Sequence, residues 1–202
     1  MINTIFFDLG NVLVKLSFEK LRSQLAEVFE IQPEDIDSPL FHNGLHDLYE
    51  TGQINTEEFC QYLSLRCGKS IPHEAILKAF NEIFWPNTSI FPLVRSLNEQ
   101  NKRLVLLSNV SEAHFFFIKE QYPVLEWFDD FVLSYKVGAK KPDPKIYEAA
   151  LSVAQCPPEE CFFIDDMAEN VSSARKHNID AEQYTDTPTL LKQLKARNVL
   201  VS

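Results

Sequence analysis

The sequence predicts an α/β fold: a Rossmann-like parallel sheet with helices on both faces, and a small all-helical insertion after the first strand. Three observations predict it. Short β-branched and aromatic blocks such as Ile5–Phe7 and Leu104–Leu107 read as strands buried on both faces, the form that parallel sheets take. From Arg103 onward such blocks alternate with helical stretches of roughly ten residues, the pattern of βαβ units. Between Val14 and Arg103 the apolar residues recur instead at helical spacing, and no strand pattern is seen there.

In chain order, Ile5-Phe6-Phe7 forms the first strand and Gly10-Asn11 breaks it as a turn, which leaves Asp8 at the strand's carboxyl end. Residues 17–30 carry Phe18, Leu21, Leu25, Val28 and Phe29 at helical spacing behind Ser17, a hydroxyl suited to capping. Residues 56–67 and 73–84 repeat that spacing, separated by Gly68 and Pro72. Trp85, Pro86 and Asn87 mark the return to the main body, and Phe80, Phe84 and Trp85 read as packing residues. These boundaries give a core of 1–15 and 87–202 and an insertion of 16–86. Within the core, 104–107 is a strand ending in Ser108-Asn109, and 112–121 a helix. Residues 131–134 form the next strand, and 144–154 a helix opened by Pro144, whose fixed φ suits a first turn. Residues 161–164 are a strand ending in Asp165-Asp166, and 168–177 a helix.

Composition narrows the function. With 202 residues, 45% hydrophobic and 24% charged, the chain has enough apolar mass for one core and a smaller unit. A formal net charge of -10, with no basic cluster beyond Lys140-Lys141, disfavours nucleic acid as a partner. No apolar run approaches the ~18 residues a membrane span needs, and Met1 leads straight into the first strand without a basic and apolar leader, so a cytoplasmic location with no membrane partner is expected. Cys60, Cys67, Cys156 and Cys161 lack Cys-x-x-Cys spacing and are expected as reduced thiols. Nothing in the sequence fixes the oligomeric state.

The residues suited to chemistry lie at strand ends. In open parallel sheets that edge opens a crevice where ligands bind, which singles out Asp8, Ser108-Asn109 and Asp165-Asp166. A hydroxyl from Ser108 and the backbone N–H of Asn109 can hold phosphoryl oxygens. Lys141, immediately before Pro142-Asp143-Pro144 and a helix start, is a stiffly held ammonium that can neutralise an aspartate and a phosphoryl group. Lys140 reads as a solvated basic turn. Adjacent acids at 165 and 166 repel unless a cation lies beside them, and Mg²⁺, which takes one or two carboxylates and keeps waters, fits that need. His42 and His46 stand at i, i+4 as on one helix face, a spacing that can bind zinc, with no third ligand apparent; the alternative is polar residues facing a cleft or solvent.

Asp8-Leu9-Gly10-Asn11-Val12, Ser108-Asn109, Lys141-Pro142 and Asp165-Asp166 with Asn170 resemble, in order, the four motifs of the haloacid dehalogenase-like hydrolases, in particular the sugar-phosphate phosphatase-like branch. The resemblance implies a helical cap for the insertion and Mg²⁺-dependent hydrolysis of a small-molecule phosphate ester, such as a hexose 1-phosphate, through an aspartyl phosphate on Asp8. It implies that Lys141 is catalytic and substrate-binding, that Ser108 and Asn109 bind the phosphoryl group, and that the metal is held by Asp8, the Gly10 backbone carbonyl and Asp166, with Asp165 acting through water. The exchange of Asp165 and Asp166 stays open. The chain departs from the family at Gly10, where the usual second aspartate is the acid/base. Two alternatives therefore stand beside the phosphatase: a catalytically impaired binding or regulatory protein, and a 2-haloacid dehalogenase, which uses an aspartate nucleophile without metal.

Overall fold

The structure, a computed structural model, describes residues 1–199. Strands β1 (Thr4–Phe7), β4 (Arg103–Ser108), β5 (Asp130–Leu133), β6 (Cys161–Asp165) and β7 (Asp180–Gln183) form a five-stranded sheet in the order β5-β4-β1-β6-β7. All its pairings are parallel, and β1 lies between β4 and β6, with Phe7 opposite Leu106 on one side and Ile164 on the other. The expected α/β architecture is present.

Alternation along the strands divides the core in two, because successive side chains leave a strand on opposite faces. Ile5, Phe7, Leu104, Leu106, Phe162 and Ile164 pack on one face against α5 (Phe91–Glu99), α6 (Glu112–Gln121) and α10 (Thr187–Ala196). Phe6, Val105, Leu107 and Phe163 pack on the other against α8 (Pro144–Val153) and α9 (Ala168–Lys176). Phe6 and Phe7 are fully buried, so truncating either to alanine costs about 3–5 kcal/mol.

Residues between the first two core strands build a third core. Helices α1 (Phe18–Phe29), α2 (Leu45–Glu50), α3 (Thr56–Arg66) and α4 (His73–Asn81) enclose Leu21, Leu25, Tyr49, Phe59, Leu63 and Phe80. Ser17 caps α1 by accepting from the Lys20 N–H, and Asn55 with Glu58 forms a capping box on α3.

The structure corrects the reading of 14–103 as free of strands. Val14–Leu16 (β2) and Phe84–Pro86 (β3) pair antiparallel as a two-stranded ribbon at the stem of the insert, and Phe84 thereby leaves the helix expected over 73–84. Three-residue strands carry too little alternation to register in sequence, and this pair forms only when residues about seventy apart meet. At the other boundary Ser134 begins a short helix, α7 (Ser134–Val137), rather than ending a strand.

Among the described residues no helix is long and apolar enough to cross a membrane. All four cysteines are free, as expected.

Candidate active site

Parallel pairing in register brings the ends of β1, β4 and β6 to one edge, and with them Asp8, Ser108 and Asp165. The Asp8 N–H donates to the Ile164 carbonyl, which ties the nucleophile candidate to the strand beside it. Lys141 arrives from the loop before α8. Its Nζ donates to Asp8 Oδ1 at 2.7 Å, to Asp165 Oδ2 at 2.6 Å and to the Leu107 carbonyl at 2.8 Å. All three ammonium donors are thereby engaged, so a phosphoryl group beside Asp8 would meet the charge of Lys141 rather than a free N–H.

Asp165 is completely buried and fully partnered. Oδ1 accepts from the Met167 N–H at 2.8 Å and from Asn170 Nδ2 at 3.0 Å; Oδ2 accepts from Lys141 and, at 3.1 Å, from Asn170. Asp166 is only half-buried, and Asn11 Nδ2 donates to its Oδ2 at 3.0 Å. The two adjacent acids thus differ in kind. Asp165 anchors the loop, while Asp166 keeps capacity toward the crevice. One carboxylate oxygen from each of Asp8, Asp165 and Asp166 lies within 4.8 Å of the others.

Burial pushes the Asp8 carboxyl up to about 7; Lys141 pulls it back and the Asp165 charge raises it again. Burial likewise raises the Asp166 carboxyl, against the bond from Asn11. For Lys141 burial opposes the charged form, but the Asp8 and Asp165 carboxylates overcome it and hold the ammonium well above its ordinary range. Three carboxylates here share one ammonium. That leaves about two negative charges unneutralised, which a divalent cation with oxygen ligands would satisfy.

Ser108 is buried and borders a cavity of about 100 Å³ together with Asn109, Gly10 and Leu9. The Asn109 side chain has turned away from the role expected of its neighbouring N–H: it bonds the backbone of Lys141 on both sides.

Two readings from sequence change. His42 and His46 do not share a helix face: a π-turn over Ser38–His42 ends at Gly44, whose φ of +70° separates it from α2, and His42 is left exposed. Lys140 is not a solvated turn residue. It donates to Glu50 Oε2 at 3.1 Å and also pairs with Asp47, joining α2 to the core. Sequence reasoning also passed over Asn11 and Glu50. Asn11 has a φ of +56°, a conformation that asparagine tolerates, and only that turn aims its amide at Asp166.

A family model, haloacid dehalogenase-like hydrolase, matches residues 2–178. The chain belongs to the haloacid dehalogenase-like hydrolases. Among curated proteins this hydrolase is 26% identical over 196 residues to the D-ribitol-5-phosphate phosphatase of Bacteroides thetaiotaomicron, covering 91% of this chain and 92% of that one. It is 25% identical over 150 residues to the sesquiterpene phosphatase astK of Aspergillus oryzae, covering 73% and 76%. Among solved structures, a HAD family enzyme of Bacteroides thetaiotaomicron in complex with magnesium and inorganic phosphate superposes with a TM-score of 0.85 at 26% identity, covering 94% and 99%.

Proposed function

We propose that this protein is a Mg²⁺-dependent phosphomonoester hydrolase working through an aspartyl phosphate on Asp8. The observation that carries the reading is the ion set at the strand tips: Asp8 held by Lys141, with Asp165 and Asp166 within 4.8 Å. Two relatives are phosphatases by name, and a HAD family enzyme of similar structure was solved with magnesium and inorganic phosphate. The insert over α1–α4 serves as the cap that covers the leaving group.

Asp8 attacks phosphorus, the ester oxygen departs, and water then cleaves the aspartyl phosphate. Lys141 favours the ionised form of Asp8, against its burial, and aims it. Ser108 and the Asn109 N–H face the phosphoryl oxygens. Asp8, the Gly10 carbonyl and Asp166 would hold Mg²⁺, with Asp165, whose oxygens are already occupied, acting behind them. Bound there, the ion supplies neutralisation of the nucleophile and phosphoryl charges.

The finer reading is a small sugar phosphate such as a hexose 1-phosphate. A hemiacetal oxygen leaves with less protonation than an alkoxide, which suits a site with no acid at position 10.

Gly10 also supports a second reading, a binder that retains the site but does not turn over. Phosphate release from p-nitrophenyl phosphate with Mg²⁺, its loss in excess chelator, and acid-trapped phosphate on Asp8 are expected for the enzyme. No turnover of any ester in a broad panel would favour the binder, and halide release from 2-haloacids without metal would overturn both.

A further inference from the structure

Gly10 removes the acid/base that would stand two residues beyond the nucleophile, and the insert builds part of the cavity that Gly10 borders. His46 and Glu50, one helical turn apart on α2, border the same cavity as Gly10 and Ser108. Their side chains are 12% and 14% exposed. Nearly all other walls are apolar: Leu9, Leu16, Ile83 and Phe84 offer nothing to a proton.

The His46 ring is held on three sides. Its Nδ1 stands 3.6 Å from Glu50 Oε2, and the rings of Phe41 and Phe80 stand tilted to it at centroid distances of 5.3 and 6.3 Å. Glu50 is itself fixed to the core. Its carboxylate accepts from Lys140, and its backbone carbonyl accepts from Ser134 Oγ at 2.6 Å, a hydroxyl that in turn accepts from the Val110 N–H beside Ser108-Asn109. These bonds tie α2 to the core beside the cavity.

Other candidates for the acid/base are disposed of by the same contacts. Asp47 is not among the cavity-bordering residues; its side chain is 65% exposed and pairs with Lys140. His114 does border the cavity, but its Nε2 bonds the Phe80 carbonyl at 3.0 Å and burial pushes its pKa down to about 3, so it stays neutral. A metal on His46, Asp47 and Glu50 is opposed by the Lys140 ammonium, which already pairs with both acids. The charged groups beside His46 are thus Glu50 and Asp47, both paired with Lys140, while His114 nearby is neutral.

We propose that His46, oriented by Glu50, is the general acid and base of this hydrolase, so that the cap supplies what position 10 lacks. The inference rests on the phosphatase reading. As the Asp8 oxygen bonds to phosphorus and the P–O bond to the leaving group breaks, the imidazolium gives its Nε2 proton to the departing oxygen. Neutral Nε2 then takes a proton from water as the water oxygen bonds to phosphorus and the bond to Asp8 breaks, which releases phosphate and restores the imidazolium. Glu50 is a positioning residue: its carboxylate, 3.6 Å from Nδ1, favours the orientation in which Nε2 serves the substrate.

The test compares His46→Asn with the wild type on p-nitrophenyl phosphate and on a primary alkyl phosphate such as glycerol phosphate. General acid catalysis contributes about 10²–10⁴-fold and matters most for poor leaving groups. Because kcat/KM reports steps through leaving-group departure, H46N should lose at least about 10²-fold on the alkyl ester and less than about tenfold on the aryl ester. It should also accumulate trapped aspartyl phosphate. Glu50→Gln should show a weaker split in the same direction, which keeps the test open if H46N folds poorly, and Asp47→Asn should show none. A wild type inert on both esters defeats the phosphatase reading itself. An active wild type whose H46N and E50Q variants lose both esters equally, or neither, overturns the role of His46.

Discussion

Asn109 and Lys141 hold one another through a reciprocal pair of hydrogen bonds: Asn109 Nδ2 donates to the Lys141 carbonyl at 2.9 Å, and the Lys141 N–H donates to Asn109 Oδ1 at 2.7 Å. The loop after β4 therefore sets where the Lys141 ammonium stands, and through it where Asp8 points. Asn109→Ala should cost about 1–3 kcal/mol of stability for two lost bonds. Turnover should fall by about tenfold or more, because a displaced Lys141 no longer aims Asp8. Urea unfolding and steady-state kinetics on an aryl phosphate check the two effects, and unchanged turnover would refute the clamp.

Removing the ammonium altogether should be worse. Lys141→Met strands the buried Asp8 and Asp165 carboxylates, and loss of one partner from a buried ion set costs about 3–5 kcal/mol. Asp8 can escape by taking a proton, since burial has already raised its carboxyl to about 7 with Lys141 present. In metal-free protein the stability gap from wild type should narrow from pH 8 toward pH 5. A gap that widens on acidification would contradict the assignment of Lys141 as the counter-charge of Asp8.

Asp165 and Asp166 should fail in different ways when each is made asparagine. Asp165→Asn places an amide among the Lys141, Asn170 and Met167 donors, so it should destabilise the fold by about 3–5 kcal/mol. Asp166→Asn loses little, because that side chain is half-buried with a bond from Asn11, but it should raise the Mg²⁺ concentration needed for half-maximal activity by about tenfold or more. Thermal melts paired with Mg²⁺ titrations separate the two. The reverse pattern would exchange their roles.

His114 gives a pH dependence outside the catalytic centre. Burial lowers its pKa from 6.5 to about 3, and its ring stacks on Phe80 at 4.0 Å. With a depressed folded-state pKa, its contribution is fully present above pH 6.5 and is lost as pH falls toward 3, because the unfolded chain binds the proton first. His114→Phe keeps the ring but cannot titrate. Wild type should exceed it at pH 7 by about 1 kcal/mol, for the lost bond to the Phe80 carbonyl, and the difference should shrink or reverse by pH 4. Parallel urea curves across that range would exclude the effect.

The sequence by itself determined the sheet, most helices and the strand-tip acids. Those features are written in local patterns: apolar blocks such as Ile5–Phe7 and Cys161–Ile164 need only burial on two faces, and a carboxylate placed just after such a block is carried to the sheet edge by the parallel topology. Asp8, Lys141 and Asp165 were legible for that reason, helped by the order of motifs around them. Only the tertiary structure decided how the pieces meet. The β2–β3 ribbon, the Asn11 bond to Asp166, the Lys140 bridge to Glu50 and the cavity that His46 shares with Gly10 each join residues distant in sequence. His46 shows the difference most plainly. Its spacing from His42 suggested one helix face, but Gly44 in a left-handed conformation ended the turn between them, and the packing of α2 against the core then set one histidine at the cavity and left the other in solvent. Periodicity reports which side of an element is apolar; it carries no term for which distant loop that side will face.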